Sequence, residues 1–286
     1  MSYRIITDSA SDLPAQLLSQ LDIDVIPLTL MFRGEEWKDT TDEGLKTVYD
    51  GLRAGDVATT SAINPDGWAA RIESVLATGQ DALVLAFSSG LSTTYQSAVI
   101  AAQELSEKYP QRTVKVVDTL CASLGQGLLV WYACKHRDAG MSLEELTQWC
   151  EDNKLNLCHW FTVDDLMYLK RGGRVSAATA LLGTVLNIKP ILHVDDEGHL
   201  ISVSKVRGRK TSIEALAKKV GELGLAGKND TMFISHGDCE EDAQTLAKIL
   251  KEKYGAKEVV IGYVGAVIGS HAGPGTLALF FLGEHR

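Results

Sequence analysis

The chain lacks most of the features that would set it apart from an ordinary globular protein. Its five cysteines, Cys121, Cys134, Cys150, Cys158 and Cys239, are odd in number and show no Cys-x-x-Cys spacing. That argues against a disulfide framework and a zinc site, and leaves them as buried, inert thiols. Basic residues are in deficit, 28 Lys and Arg against 37 Asp and Glu, giving a net charge of -9. Phosphate contacts need concentrated Lys and Arg, so a general nucleic-acid binder is disfavoured. Residues 1–8 turn polar and acidic at once, without the apolar stretch of a signal peptide, so a cytoplasmic location is expected. The longest uncharged run, 259–282, is broken by His271, Pro274 and repeated glycines, which reads as strand and loop and predicts no stable membrane insertion.

With 286 residues, 45% of them hydrophobic, the chain can bury a large core and is long enough for two domains. Short β-rich runs at 3–6, 23–32, 82–87 and 113–117 are separated by helix-length segments, the βαβ signature of a mostly parallel sheet. Asn64-Pro65 opens one helix as N-cap and first helical residue, leading into Trp68, Ile72 and Leu76. Tyr95, Ala98, Val99, Ala102 and Leu105 form one apolar stripe on another, which puts Ser92 at a helix start. From about Cys158 the pattern changes. Runs 188–194 and 199–204 flank the hairpin composition Asp195-Asp196-Glu197-Gly198. Helical stretches near 209–222 and 240–253 then alternate with strands near 232–236, 259–264 and 277–281. The expected fold class is α/β in two domains. An N-terminal mostly parallel α/β sheet domain spans 1–157, and a C-terminal α+β domain with a mixed or antiparallel sheet spans 158–286. With no Pro/Ser linker, the halves should pack around a shared ligand cleft.

Common catalytic signatures fail. Gly125-Gln126-Gly127 lacks the third glycine of a dinucleotide fingerprint and falls within a helix. Gly208-Arg209-Lys210-Thr211 misses the Walker pattern. Thr7-Asp8-Ser9-Ala10-Ser11-Asp12 reads as a capped strand-to-helix turn, with a metal or phosphate loop as its rival. Gly90-Leu91-Ser92-Thr93-Thr94 begins like a nucleophile elbow but has Thr94 in place of the second glycine. Ser92 is therefore read as a donor, and a serine-type lipid hydrolase or acyltransferase using Ser92 and His271 stands as the alternative. No cofactor is expected.

Four polar clusters each lie beside an apolar run: Thr60-Ser61, Ser88-Ser89-Gly90-Leu91-Ser92, Gly172-Gly173-Arg174 and His271-Ala272-Gly273-Pro274-Gly275. Hydroxyls and an imidazole donate to a carboxylate, and the apolar segments suit a long tail, so the suggested ligand is a fatty acid. The uncharged segment 177–186 is a candidate lining for a channel.

Read together, Thr7–Asp12, Ser88–Ala98, Val117-Asp118-Thr119, Leu169–Ser176, Ile188-Lys189-Pro190-Ile191, Lys205-Val206-Arg207 and His271–Gly275 resemble the DegV family over nearly the whole chain. The resemblance implies a bacterial fatty-acid-binding protein, itself not an enzyme. Such a protein holds the acyl chain for a separate ATP-binding fatty acid kinase subunit, which makes an acyl phosphate for phospholipid synthesis. By motif position the carboxylate ligands look like Thr60, Ser92 and His271, with Arg174 at the headgroup end and Ser61 and Ser89 as secondary candidates. Lys205, Arg207, Arg209 and Lys210 resemble the surface that docks the kinase. The chain departs from the family pattern at Ala62-Ile63-Asn64, before Pro65, and at Thr93.

Overall fold

The computed structural model describes residues 2–175 and 187–286; the proposed channel segment 177–186 lies outside them. Strand β1 (Tyr3–Asp8) leads through a 3-10 turn into α1 (Ala15–Leu21) and β2 (Asp24–Ile26). Later in the chain come α3 (Pro65–Leu76), β6 (Asp81–Ala86), α4 (Thr94–Lys108) and β7 (Val114–Asp118). These strands form a wholly parallel sheet in the order β2-β1-β6-β7. Both faces are covered, which is why β6 reads as an almost unbroken apolar run. Ile6, Ala82 and Val84 pack under Trp68, Ile72 and Ala98 from α3 and α4, while Ile5, Leu83 and Leu85 face the opposite way.

The strand order reverses between β1 and β6, and the crevice beyond their C-terminal ends is where sheets of this kind bind ligands. Asp8 closes that crevice. Its carboxylate accepts from Ala10 N at 3.0 Å and Phe87 N at 2.8 Å, and full burial pushes its pKa up to about 6. Thr7–Asp12 is thus a capped turn after a strand, the simpler of its two readings.

The run 23–32 is not one strand. It breaks at Pro27, which has no N–H to donate and holds its neighbours to an extended turn. The following residue, Leu28, donates to Ser9 Oγ instead of a neighbouring strand. Beyond it, β3 (Thr29–Phe32) leaves the parallel sheet and pairs antiparallel with β4 (Glu35–Glu36) and β5 (Ala58–Ser61). Helix α2 (Asp42–Ala54), capped by Thr41 Oγ1 on Gly44 N, connects the last two.

Helix α5 (Leu124–Asp138) joins the two halves, and α6 (Leu143–Asn153) follows it. The second sheet contains β8 (Leu157–Thr162), β9 (Ile188–Val194), β10 (Leu200–Arg207), β11 (Thr231–His236), β12 (Glu258–Tyr263) and β13 (Leu277–Leu282). Its order is β10-β9-β8-β13-β11-β12, antiparallel except for β11 and β12. The hairpin expected around Asp195–Gly198 joins β9 and β10, with Gly198 at φ 79°, a backbone that glycine adopts without strain. One face of the sheet, with Cys158, Trp160, Ile234 and Leu279, packs beneath α8 (Arg209–Leu223) and α9 (Glu240–Tyr254). The other face turns Phe161, Phe233, Ala278 and Phe280 toward α5 in a single core shared with Leu85 and Leu128. A short α7 (Met167–Arg171) and α10 (Ala266–Ala272) complete the described helices.

Helix α5 is buried almost all round. Two of its residues have to be glycine: a Cβ on Gly125 would stand 2.0 Å from His159 Nε2, and one on Gly127 2.7 Å from Ser11 O. The Gly-Gln-Gly sequence is therefore a packing device. Just before the helix, Ser123 Oγ donates to Asp12 Oδ2 at 2.6 Å and lies 3.0 Å from Ser235 Oγ, linking three segments.

Burial pushes the Asp12 carboxyl up to about 7, opposed by the Ser123 hydroxyl. A carboxyl raised in the folded state contributes stability that is complete below the unfolded pKa, about 4, and is lost as pH rises through 7. In urea titrations of ligand-free protein, the stability difference between wild type and Asp12→Asn should move in the variant's favour by about 2 to 3 kcal/mol from pH 5 to pH 8. A difference that stays constant with pH would show that Asp12 titrates as an ordinary carboxylate.

Candidate functional site

Between the two sheets lies a cavity of about 420 Å³. Its floor is the inner face of the six-stranded sheet, with Phe161, Val194, Ala278 and Phe280; Phe87, Leu91 and Ala122 close it from the C-terminal ends of the parallel strands. Leu28, Val267 and Ile268 form another wall. The volume falls within the ordinary range for small-molecule pockets, and the lining is mostly apolar with a few convergent polar groups.

All six residues singled out for an anion line this cavity: Thr60, Ser61, Ser89, Ser92, Arg174 and His271. They come from four separate segments. Thr60 sits on β5, and despite the Ala62-Ile63-Asn64 departure its Oγ1 reaches His271 Nε2 at 2.7 Å. His271 occupies the last turn of α10, and its ring lies against the Gly172 turn, where a Cβ would stand 2.2 Å from Nδ1. Gly173 follows at φ 68°, so the Gly-Gly pair serves close approach at one position and a left-handed backbone at the next. Arg174 leaves that turn, donating from Nε to Leu91 O at 3.3 Å and from Nη1 to Gly172 O. Burial, aided by the nearby Arg174 charge, pushes the His271 pKa down to about 4. At neutral pH the ring is uncharged, and Arg174 carries the positive charge of the cluster.

The Ser88–Ser92 cluster divides its work. Ser88 Oγ donates to Gly198 O at 2.9 Å, fixing the β9–β10 hairpin against the loop, and a Cβ on Gly90 would stand 2.7 Å from Glu197 O. Ser89 and Ser92 face the cavity. Helix α4 begins at Thr94 rather than directly after Ser92, and the intervening Thr93 makes no side-chain cap. Ser92 Oγ instead accepts from Thr94 N at 3.2 Å and lies 2.8 Å from Thr94 Oγ1. The hydrolase alternative needs Ser92 bonded to His271, whereas Nε2 of that histidine is taken by Thr60 and Ser92 is engaged with Thr94. No nucleophile–base pair joins them.

A second cavity of about 280 Å³ shares Thr60, Arg174 and His271 with the first. Its other walls include Asp56, Tyr168, Arg171 and Ser270. The polar trio is thus a partition with an apolar chamber on one side and a polar cleft on the other. Sequence reasoning missed this cleft, and it also missed His159, Ser123 and Ser235 on the lining of the first cavity. For His159 the local pattern carries no signal, because every residue of β8 is buried on one face of the sheet or the other.

The basic stretch is not uniform. Lys205 and Arg207 are exposed on the edge strand β10, on the opposite side from the partly buried Val206, and Lys210 is exposed on α8. Arg209 is drawn inward, pairing with Asp242 at 2.8 Å and Asp164 at 3.5 Å. Among the described residues, no group of three or more His, Cys, Asp or Glu side chains forms a metal site, and no helix is long and apolar enough to cross a membrane.

Comparison with known proteins gives one consistent result. The family model described as "Uncharacterised protein, DegV family" matches residues 2–284. A DegV domain-containing protein of Clostridium perfringens is 46% identical over 286 residues, covering 99% of this chain and 98% of its own length. A solved DegV family protein from Thermus thermophilus, described as binding fatty acid, shares 33% identity at a TM-score of 0.87, with coverage of 99% and 100%. DegV of Bacillus subtilis, described as a fatty acid binding protein, shares 28% identity at a TM-score of 0.83, again with coverage of 99% and 100%. With its two sheet-centred domains and a family match across nearly its whole length, the chain belongs to the DegV family.

Proposed function

We propose that this protein binds a long-chain fatty acid, with the tail in the 420 Å³ cavity and the carboxylate held by Thr60, Ser92, Arg174 and His271. The observation that carries this reading is an apolar chamber ending in a cluster of hydroxyls, an imidazole and a guanidinium drawn from four segments. The Thermus thermophilus and Bacillus subtilis relatives, described as fatty-acid binders, support it. Each buried methylene contributes about 0.8 kcal/mol, so a long tail supplies on the order of 10 kcal/mol before ordering costs. A charge-assisted hydrogen bond to the carboxylate adds about 1.5 to 3 kcal/mol.

The finer reading is that the protein presents its acid to a separate ATP-dependent kinase subunit, which phosphorylates the carboxylate to an acyl phosphate. Support comes from the partition: Thr60, Arg174 and His271 also line the polar cleft, so a carboxylate among them can attack a phosphoryl group presented from the cleft side, with ADP leaving, while its tail stays buried. The chain itself supplies no nucleotide-binding motif. On an acidic protein, exposed Lys205, Arg207 and Lys210 form a patch suited to steering an acidic partner. The ion pairs of Arg209 give that residue a structural role instead.

Native mass spectrometry of freshly purified protein should show a co-purified C14 to C18 acid; absence of one, together with no uptake of added palmitate, would end the proposal. For the headgroup, Thr60→Ala, Ser92→Ala and His271→Ala should each lower kinase-dependent acyl-phosphate formation about tenfold or more with little change in melting temperature. Gly172→Ala should do the same by pushing the imidazole away from Thr60, because its Cβ would stand 2.2 Å from Nδ1. Unchanged turnover in all four would remove the site assignment.

A further inference from the structure

The polar cleft holds more positive charge than a carboxylate needs. Two guanidiniums line it, those of Arg171 and Arg174. Arg174 also lines the apolar chamber, whereas Arg171 lines the cleft alone. Asp56, on the cleft wall, is taken by Arg33 at 2.8 Å, and Asp164 is taken by Lys189 at 2.6 Å and Arg209 at 3.5 Å. Among the described residues no carboxylate pairs with either cleft arginine, and residues 176–186 contain no Asp or Glu. The second charge is therefore free for a ligand.

Arg171 is also held in position. It is the last residue of α7, and its guanidinium carbon lies 4.6 Å from the centroid of the Tyr168 ring. That ring is fixed from two directions: its hydroxyl donates to Leu52 O at 2.8 Å, in the last turn of α2, and a Cβ on Gly273 would stand 2.5 Å from its Cδ2. Stacking on a fixed ring leaves the N–H fork open to an anion and reduces the freedom lost when one binds. The side chain remains exposed, so a group entering the cleft can reach it.

A carboxylate is a monoanion, and Arg174 with the neutral donors at the partition matches its charge. A phosphoryl group in transfer carries more charge, spread over three equatorial oxygens, and a planar guanidinium fits such oxygens. We infer that Arg171 is a catalytic residue that this chain contributes to phosphoryl transfer, with its guanidinium on the phosphoryl group in the cleft and no share in holding the carboxylate. This rests on the kinase reading above and adds a residue that the carrier itself brings to the chemistry. In the step, a carboxylate oxygen attacks the γ-phosphorus of ATP held by the kinase subunit. The new O–P bond forms as the bond to the β–γ bridging oxygen breaks, and that electron pair leaves with ADP. Arg171 neutralises charge on the equatorial oxygens throughout.

The test compares wild type with Arg171→Gln and Arg171→Lys. With the kinase subunit and ATP, Arg171→Gln should lower kcat about 100-fold while KM for the palmitate-loaded carrier stays within about twofold, and Arg171→Lys should recover part of the rate. A second arm needs no kinase. In a 2-oxoalkylphosphonate the ketone stands where the carboxylate carbon would, and the phosphonate extends into the cleft. By calorimetry Arg171→Gln should weaken binding of this analogue about tenfold and leave palmitate affinity unchanged. Equal kcat in wild type and Arg171→Gln, a loss confined to KM, equal phosphonate affinity, or a parallel loss of palmitate would each overturn the inference. Palmitate that binds the wild type but is never phosphorylated would take down the kinase reading, and the role of Arg171 with it.

Discussion

Neither sheet can bury helix α5 alone, and the arrangement of the molecule follows from that. Its residues are apolar nearly all round, so it must be covered from both sides, and the shared core of Leu85, Leu128, Phe161, Phe233 and Phe280 covers it. Fully burying side chains of this size is worth about 1.5 to 3 kcal/mol each, so the two halves form one body rather than tethered units. Gly125 and Gly127 bring the helix backbone against β8 and the first turn. The cavity is the space left beyond the N-terminal end of this helix, where the sheets are still spanned but no longer filled.

The regular elements were legible where one physical signal dominated. Both faces of β6 are covered, so it appears as an apolar run, and Asp195–Gly198 gives the hairpin because its composition suits nothing else. The misreading of 23–32 had a different cause. Periodicity cannot show that a strand changes sheets, and Pro27 was the one mark of the break. The pair of charged residues forming β4 carries no apolar signal at all, so the three-stranded sheet that positions Thr60 was hidden.

The site was legible as a set of residues but not as an arrangement. Thr60, Ser92, Arg174 and His271 stood out as polar residues in short clusters beside apolar runs, and the structure brings all four to the wall of one cavity. That Thr60 would claim His271 while Ser92 turned to Thr94 depends on β5 and α10 meeting, which no local pattern encodes. His159 was missed for a related reason. Within Leu157–Thr162 every residue is buried, so burial alone does not mark the inward side; only the register of β8 against β13, with His159 opposite Phe280, does so.

On the proposed reading, charge is the remaining constraint on how an anion is held. A chain with net charge -9 repels anions over its surface as a whole, so attraction must be local. Arg174 supplies it, and the same guanidinium helps to keep His271 neutral. This division suits a carboxylate that has to be both held and reacted upon. Two buried cations would bind an oxyanion more tightly but would spread its charge onto the protein and blunt it as a nucleophile. One cation with neutral donors holds the group while leaving electron density on its oxygens. On the proposed reading, the cost to ground-state affinity is made up by the tail, whose buried surface has no part in the chemistry. Head and tail are read by different parts of the fold: β5, α10 and the Gly172 turn at the partition, and the inner face of the six-stranded sheet in the chamber. Substitutions on the sheet can therefore change which chain is accepted without disturbing the carboxylate geometry.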